Sequence, residues 1–144
     1  MIVTDANLLL YAHDTTSTHH IAANRWLSKV LSESVVVGLP WQAVWAFLRI
    51  STNSRIMAMP LTMEQATTLA GEWMQLRHVQ LLAPAGRHWQ LLKEMLLTGQ
   101  VRGPQTTDAE LAALTIEYGG VLHTTDRGFA RFPGLRWTNP LSGS

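Results

Sequence analysis

The sequence predicts an α/β fold, a three-layer α/β/α sandwich with a central parallel sheet, and two observations carry that prediction. Short, mostly apolar and β-branched runs at residues 2–4, 35–37, 79–82 and 121–124 alternate with longer segments of helical periodicity. Strands separated by helices imply βαβ units and hence parallel pairing. The runs are also largely continuous in their apolar character, as strands covered by helices on both faces must be. A chain of 144 residues with 47% hydrophobic and 15% charged residues has the composition to bury a core, and residues 1–144 read as one domain.

Ile2-Val3-Thr4 reads as the first strand, and a helical turn begins at Asn7 and runs through Ala12. Ser17 or Thr18 offers an N-cap for a helix to about Leu31, with Ala23, Trp26, Leu27, Val30 and Leu31 on one face. Val35-Val36-Val37 is a second strand bounded by Gly38. Pro40 suits the first turn of the next helix, which carries Val44, Phe47 and Leu48. Residues 53–60 read as a loop. Thr62 and Gln65 have the spacing of a capping box that opens a helix to about Leu76. Val79-Gln80-Leu81-Leu82 is a third strand, residues 86–97 are helical, and residues 98–106 form a turn-rich connection. Thr107 and Glu110 again have capping-box spacing, opening a helix that Gly119-Gly120 closes. Residues 121–124 make a fourth strand, residues 135–137 suit a fifth at an edge, and residues 141–144 read as a frayed tail.

Composition excludes several classes of function. Without cysteine there is no disulfide scaffold, zinc–thiolate site or cysteine nucleophile. Neither a P-loop nor a G-x-G-x-x-G fingerprint is present. Residues 1–5 lack a basic leader, and no apolar run is long enough to span a bilayer, so the reading is a soluble, cytoplasmic protein with no membrane attachment. A net charge of +1 means that any contact with nucleic acid must come from a local patch.

The chemistry concentrates in aspartate. There are four, Asp5, Asp14, Asp108 and Asp126, and three occupy equivalent places in the predicted layout. Asp5 follows the first strand, Asp126 follows the fourth, and Asp108 opens the helix feeding the fourth. In a parallel α/β sheet the helix starts lie at the same edge as the strand ends, where ligands bind in such folds. The convergence requires the first and fourth strands to be neighbours, which periodicity does not establish. Three close carboxylates repel one another unless a cation lies between them. Oxygen-only ligands suit Mg²⁺ or Mn²⁺, which can orient and acidify a water and offset charge on a phosphodiester. The plainer alternative is that Asp5 merely ends a strand and Asp108 is a first-turn acid favoured by the helix dipole.

At these residues the sequence resembles a known family. The opening Met1-Ile2-Val3-Thr4-Asp5-Ala6-Asn7-Leu8-Leu9-Leu10-Tyr11-Ala12 is similar to the start of a PIN domain. Thr106-Thr107-Asp108-Ala109-Glu110-Leu111-Ala112-Ala113-Leu114 is similar to its central acidic helix, and Leu122-His123-Thr124-Thr125-Asp126-Arg127-Gly128-Phe129 to its late strand and turn. With Phe47-Leu48-Arg49 and Trp137-Thr138-Asn139-Pro140-Leu141, the ordered set resembles the VapC toxins of type II toxin–antitoxin systems. The resemblance implies a Mg²⁺- or Mn²⁺-dependent endoribonuclease acting on structured RNA such as tRNA or rRNA, a homodimer, and a cognate VapB-type antitoxin in the active-site groove. It also implies that the first and fourth strands are adjacent, that Asp5, Asp108 and Asp126 are the catalytic acids and metal ligands, and that Asn7 and Thr125 are polar neighbours able to orient a carboxylate or a water.

The chain departs from the pattern at one place. The family commonly carries a glutamate shortly before the Leu-Arg pair, and here the stretch reads Trp45-Ala46-Phe47-Leu48-Arg49. Three protein carboxylates then stand in place of four, and a second reading opens: a catalytically weak PIN-like module that keeps RNA or antitoxin contacts without cutting. Glu110 is a candidate substitute ligand, although two residues along a helix it points nearly opposite to Asp108. Arg49 is placed to meet a phosphate or an antitoxin acid, or to form an ordinary ion pair. Arg127, Arg131 and Arg136 are a candidate phosphate rim or a solvated face. His19 and His20 are poorly placed to share an ion, and His13, His78, His88 and His123 show no ligand spacing. Trp26, Trp41, Trp45, Trp73 and Trp89 read as core or dimer packing.

Overall fold

A computed structural model describes residues 1–142. The elements are β1 (Ile2–Thr4), α1 (Ala6–His13), α2 (His20–Ser32), β2 (Val37–Pro40), α3 (Trp41–Ser51), α4 (Met63–Gln75), β3 (Val79–Leu82), α5 (His88–Thr98), α6 (Thr106–Glu117), β4 (Val121–His123) and β5 (Trp137–Thr138). Short 3₁₀ turns at Gly103–Gln105 and Arg127–Arg131 precede α6 and follow β4.

The five strands form one sheet in the order β3-β2-β1-β4-β5, and every pairing is parallel. The strand that comes first in sequence thus lies in the middle, with Ile2 facing Val37 on one side and Val121 on the other. Side chains alternate across it. Ile2 packs with a cluster built from α1 to α4, including Leu8, Leu9, Leu27, Phe47 and Trp73. Val3 joins a second cluster from α5, α6 and the late turns, with Met95, Leu111, Leu114, Phe129 and Phe132. Two apolar clusters on opposite faces of one sheet are the α/β/α sandwich. Because β1 and β4 are neighbours, their C-terminal ends emerge side by side, with the Asp5 backbone N–H donating to the His123 carbonyl at 3.1 Å.

Several elements differ from expectation for identifiable reasons. β2 spans Val37–Pro40 rather than 35–37, so Gly38 is inside the strand and not its boundary. A Cβ at Gly38 would stand 2.7 Å from Leu82 Cδ1 and 2.9 Å from Met1 Sδ, so this is a glycine of close approach. Pro40 ends the strand as the N-cap of α3, with φ of −65°. α2 starts one residue after the expected caps: Ser17 Oγ accepts from the His19 backbone N–H, and His19 is the N-cap. At α4 the expected capping box is complete, with Gln65 N–H donating to Thr62 Oγ1 and Thr62 N–H to Gln65 Oε1. At α6 it is not. That helix begins at Thr106 with Gln105 as N-cap, and the Glu110 carboxylate is engaged elsewhere. Leu141 is half-buried against the first cluster, and Leu141 and Ser142 turn around Asn139, so they are not frayed; residues 143 and 144 of the expected tail lie outside the described residues. Trp26 and Trp73 are core residues, whereas Trp41, Trp45 and Trp89 are exposed.

Candidate active site

Asp5 leaves β1 as the N-cap of α1, with extended backbone at φ −79° and ψ 147°. Its Oδ2 accepts a hydrogen bond from Thr124 Oγ1 at 2.7 Å. The same hydroxyl oxygen accepts from the Asp126 backbone N–H at 3.0 Å. Thr124 is fully buried just beyond β4, so one hydroxyl ties the ends of the two adjacent strands together. Asp126 is exposed and caps the following 3₁₀ turn, its Oδ1 accepting from Gly128 N–H at 2.8 Å. A Cβ at Gly128 would lie 3.0 Å from that oxygen, which is why the turn passes so close to the carboxylate. Asp108 is half-buried in the first turn of α6.

Asp5 and Asp108 both feel the Asp126 charge. Burial pushes the Asp5 carboxyl up from its ordinary value, opposed by the Thr124 hydroxyl and the backbone N–H groups of Ala6 and Asn7, with a further push from the Asp126 charge. Asp108 is also raised, first by burial and then by the Asp126 and Asp5 charges, with Arg131 pulling the other way. Burial gives the larger push at both carboxyls, and repulsion from neighbouring carboxylates adds to it. Among the described residues, no three Asp, Glu or His side chains are drawn together into a finished ligand cage. The donors are all hard oxygens, coupled and at one sheet edge, and that chemistry fits Mg²⁺ or Mn²⁺.

The remaining expected residues divide. Asn7 and Thr125 are half-buried beside the acids, yet the hydroxyl that bridges them is that of Thr124. Thr124 is buried and Thr125 half-buried, so position and not residue type separates the two threonines. Arg49 is exposed in the last turn of α3. Arg131 lies near enough to Asp108 to offset its charge. Arg136 donates from Nη2 to the Gly119 carbonyl at 2.8 Å, ahead of β4 and at the opposite end of the sheet, so it does not belong to a rim around the acids. Ala46 packs against the first cluster and brings no ligand. Glu110 accepts a short hydrogen bond from Gln42 Nε2, and its Oε1 lies 3.1 Å from His88 Nε2. Sequence spacing did not reveal that contact, because its partners lie 68 and 22 positions away.

A family model described as PIN domain matches residues 2–135. This chain belongs to the PIN-domain family. It is 38% identical to Ribonuclease VapC33 of Mycobacterium tuberculosis over 98% of this chain and 99% of that one, which sets it among the VapC ribonucleases of the family. Two solved structures share the fold. One is Mycobacterium tuberculosis VapC20, described as a Sarcin-Ricin loop cleaving toxin, with TM-score 0.68 and 16% identity over 94% of this chain and 99% of that one. The other is VapBC2 from Rickettsia felis, bound to a DNA fragment from its promoter, with TM-score 0.68 and 15% identity over 96% of this chain and 98% of that one. The VapC relatives are ribonucleases by name.

Proposed function

We propose that this PIN domain is a Mg²⁺- or Mn²⁺-dependent endoribonuclease toxin that hydrolyses phosphodiester bonds in structured RNA, tRNA or rRNA, with Asp5, Asp108 and Asp126 holding the cation. The observation that carries the reading is the Thr124 hydroxyl joining Asp5 to the Asp126 backbone, with Asp108 electrostatically coupled to both. The cation, when bound, supplies the charge that offsets negative charge on the phosphodiester and acidifies a water. The protein's part is placement. Thr124 fixes the Asp5 rotamer and the entry to the Asp126 turn. Arg131 contributes positive charge beside Asp108, where a phosphate group must approach. Asn7 and Thr125 flank the acids and orient water or RNA. Water oxygen bonds to phosphorus and gives up a proton to solvent, the bond to the 3′ oxygen breaks and that oxygen takes up a proton, and no covalent enzyme intermediate is required.

In the same reading residues 1–144 form one domain, the active unit is a homodimer in the cytoplasm, and a VapB-type antitoxin covers the acidic crevice, with Arg49 on α3 available to an antitoxin acid or to phosphate. Among the described residues no helix is long and apolar enough to cross a membrane. The test is cleavage of total RNA by antitoxin-free protein with Mn²⁺, Mg²⁺ or EDTA, beside Asp5→Ala. Discrete, metal-dependent fragments that vanish in the variant support the nuclease. Ala46 favours a second reading, a module that binds RNA or antitoxin without cutting; a folded protein that gives no heat with Mn²⁺ and no fragments would establish that one instead.

A further inference from the structure

The first turn of α6 carries Asp108, yet its N-cap, Gln105, supplies no side-chain hydrogen bond. The preceding 3₁₀ turn takes up the Thr106 N–H through the Gly103 carbonyl, and a helix start without a side-chain cap is the end more prone to fray. What reaches it instead comes from α3. The Gln42 amide nitrogen donates one hydrogen to the Thr107 carbonyl at 3.2 Å and the other to Glu110 Oε2 in a short contact. Both partners are acceptors, so the amide orientation is fixed by the network. Glu110 Oε1 lies 3.1 Å from His88 Nε2, within ion-pair distance but without hydrogen-bond geometry, and His88 Nδ1 donates to Glu117 Oε1 at 3.1 Å. Glu117 in turn accepts from the backbone N–H groups of Ala85 and Arg87, which gives the uncapped start of α5 its acceptors. His88 is buried and Gln42 and Glu110 are half-buried, beside an apolar groove walled by Trp41, Trp45, Leu92 and Leu114. Hydrogen bonds are stronger in such low-dielectric surroundings.

We infer that Gln42, Glu110, His88 and Glu117 form a polar clamp across α3, α6 and α5 that fixes the first turn of α6, making Gln42 and Glu110 positioning residues for Asp108. The inference rests on the nuclease reading for its consequence and on the contacts alone for its geometry. Gln42 lies one helical turn before Ala46, on the same face of α3. The helix that lacks a fourth acid thus serves the site through a neutral donor. Glu110, held between Gln42 and His88, is structural support and not a metal ligand.

The experiment uses Gln42→Ala, Glu110→Ala and Glu110→Gln in the full chain. In metal-free protein, hydrogen exchange is followed at the amides of residues 110–112, which bond back to the carbonyls of residues 106–108. Mn²⁺ affinity is measured by calorimetry, and kcat and KM on an RNA substrate. The expected result for Gln42→Ala and Glu110→Ala is faster exchange at 110–112, Mn²⁺ affinity weakened by roughly tenfold, and kcat lowered with KM nearly unchanged. Glu110→Gln should restore all three, because an amide oxygen still accepts from Gln42. Should Gln42→Ala melt early, Gln42→Met keeps the length of the side chain and loses only the donors. Unchanged exchange at 110–112 in the Gln42 variants would overturn the clamp. Loss of Mn²⁺ binding in Glu110→Gln with normal exchange would also overturn it, by making Glu110 a ligand. A wild-type protein that neither binds Mn²⁺ nor cuts RNA defeats the nuclease reading, and the exchange measurement still decides the clamp.

Discussion

Thr124 makes two hydrogen bonds that a valine of nearly the same shape cannot make. Thr124→Val leaves the Asp126 N–H without its acceptor and the Asp5 carboxylate without its donor, at a cost of about 1–3 kcal/mol. Cleavage should fall by roughly 10–100-fold, the usual consequence of removing a group that orients a metal-binding carboxylate. Denaturant melts and single-turnover cleavage would check the two effects separately. Asp108 allows a test of opposite sign. Its carboxyl is raised by burial and by the Asp126 and Asp5 charges, so its contribution to stability is present below the ordinary Asp value of 3.8 and is lost as pH rises through the folded value. In EDTA at neutral pH, Asp108→Asn should therefore raise Tm by roughly a few degrees, a gain that shrinks as pH falls toward 3.8, and in Mn²⁺ the same variant should lose cleavage. A variant that melts lower than wild type under those conditions would contradict the repulsion. At this scale the three acids were legible because chain position alone put them at strand ends and a helix start. The bridging hydroxyl was not, since Thr124 and Thr125 are chemically alike and only the local backbone decides which faces inward.

At the scale of elements, periodicity located the helices, and the errors gather at their ends. Thr62 and Gln65 form the capping box that their spacing predicts, while Thr107 and Glu110 have the same spacing and do not. The difference is tertiary: Gln42 and His88 compete for the Glu110 carboxylate. Gly38 misled in another way, because a glycine between a valine run and a proline reads as a boundary. In the folded chain it sits where β2 passes under Leu82 and Met1, with no room for a methyl group. Gly38→Ala should destabilise the protein by about 1–3 kcal/mol through overpacking. The shift would appear as a lower denaturation midpoint with an unchanged slope. A neutral outcome would mean that Leu82 and Met1 move aside at little cost.

For the whole molecule, what the sequence could not supply was strand order. Five short strands admit many parallel arrangements, and only the neighbouring of β1 and β4 brings Asp5 to Asp126. The apolar runs carried the layer architecture and left the order to the family resemblance. On the proposed reading, the assembled site also links metal to global stability. A cation that binds only the folded chain adds about 2.7 kcal/mol at one hundred times its dissociation constant. Mn²⁺ should accordingly raise the Tm of the wild type and not that of Asp108→Asn, which scanning calorimetry can resolve. An equal rise in both would place the ion elsewhere.

The central position of β1 has a consequence for how this molecule comes into being. A ribosome makes Asp5 early and Asp126 more than a hundred residues later, and β1 cannot gain its β4 neighbour before then. The first apolar cluster draws on residues 6–73 and can begin to collapse during elongation, but the second waits for Phe129 and Phe132. A chain still being translated therefore lacks the completed acidic crevice, and the machinery synthesising a ribonuclease is spared it until β4 and Asp126 have been made.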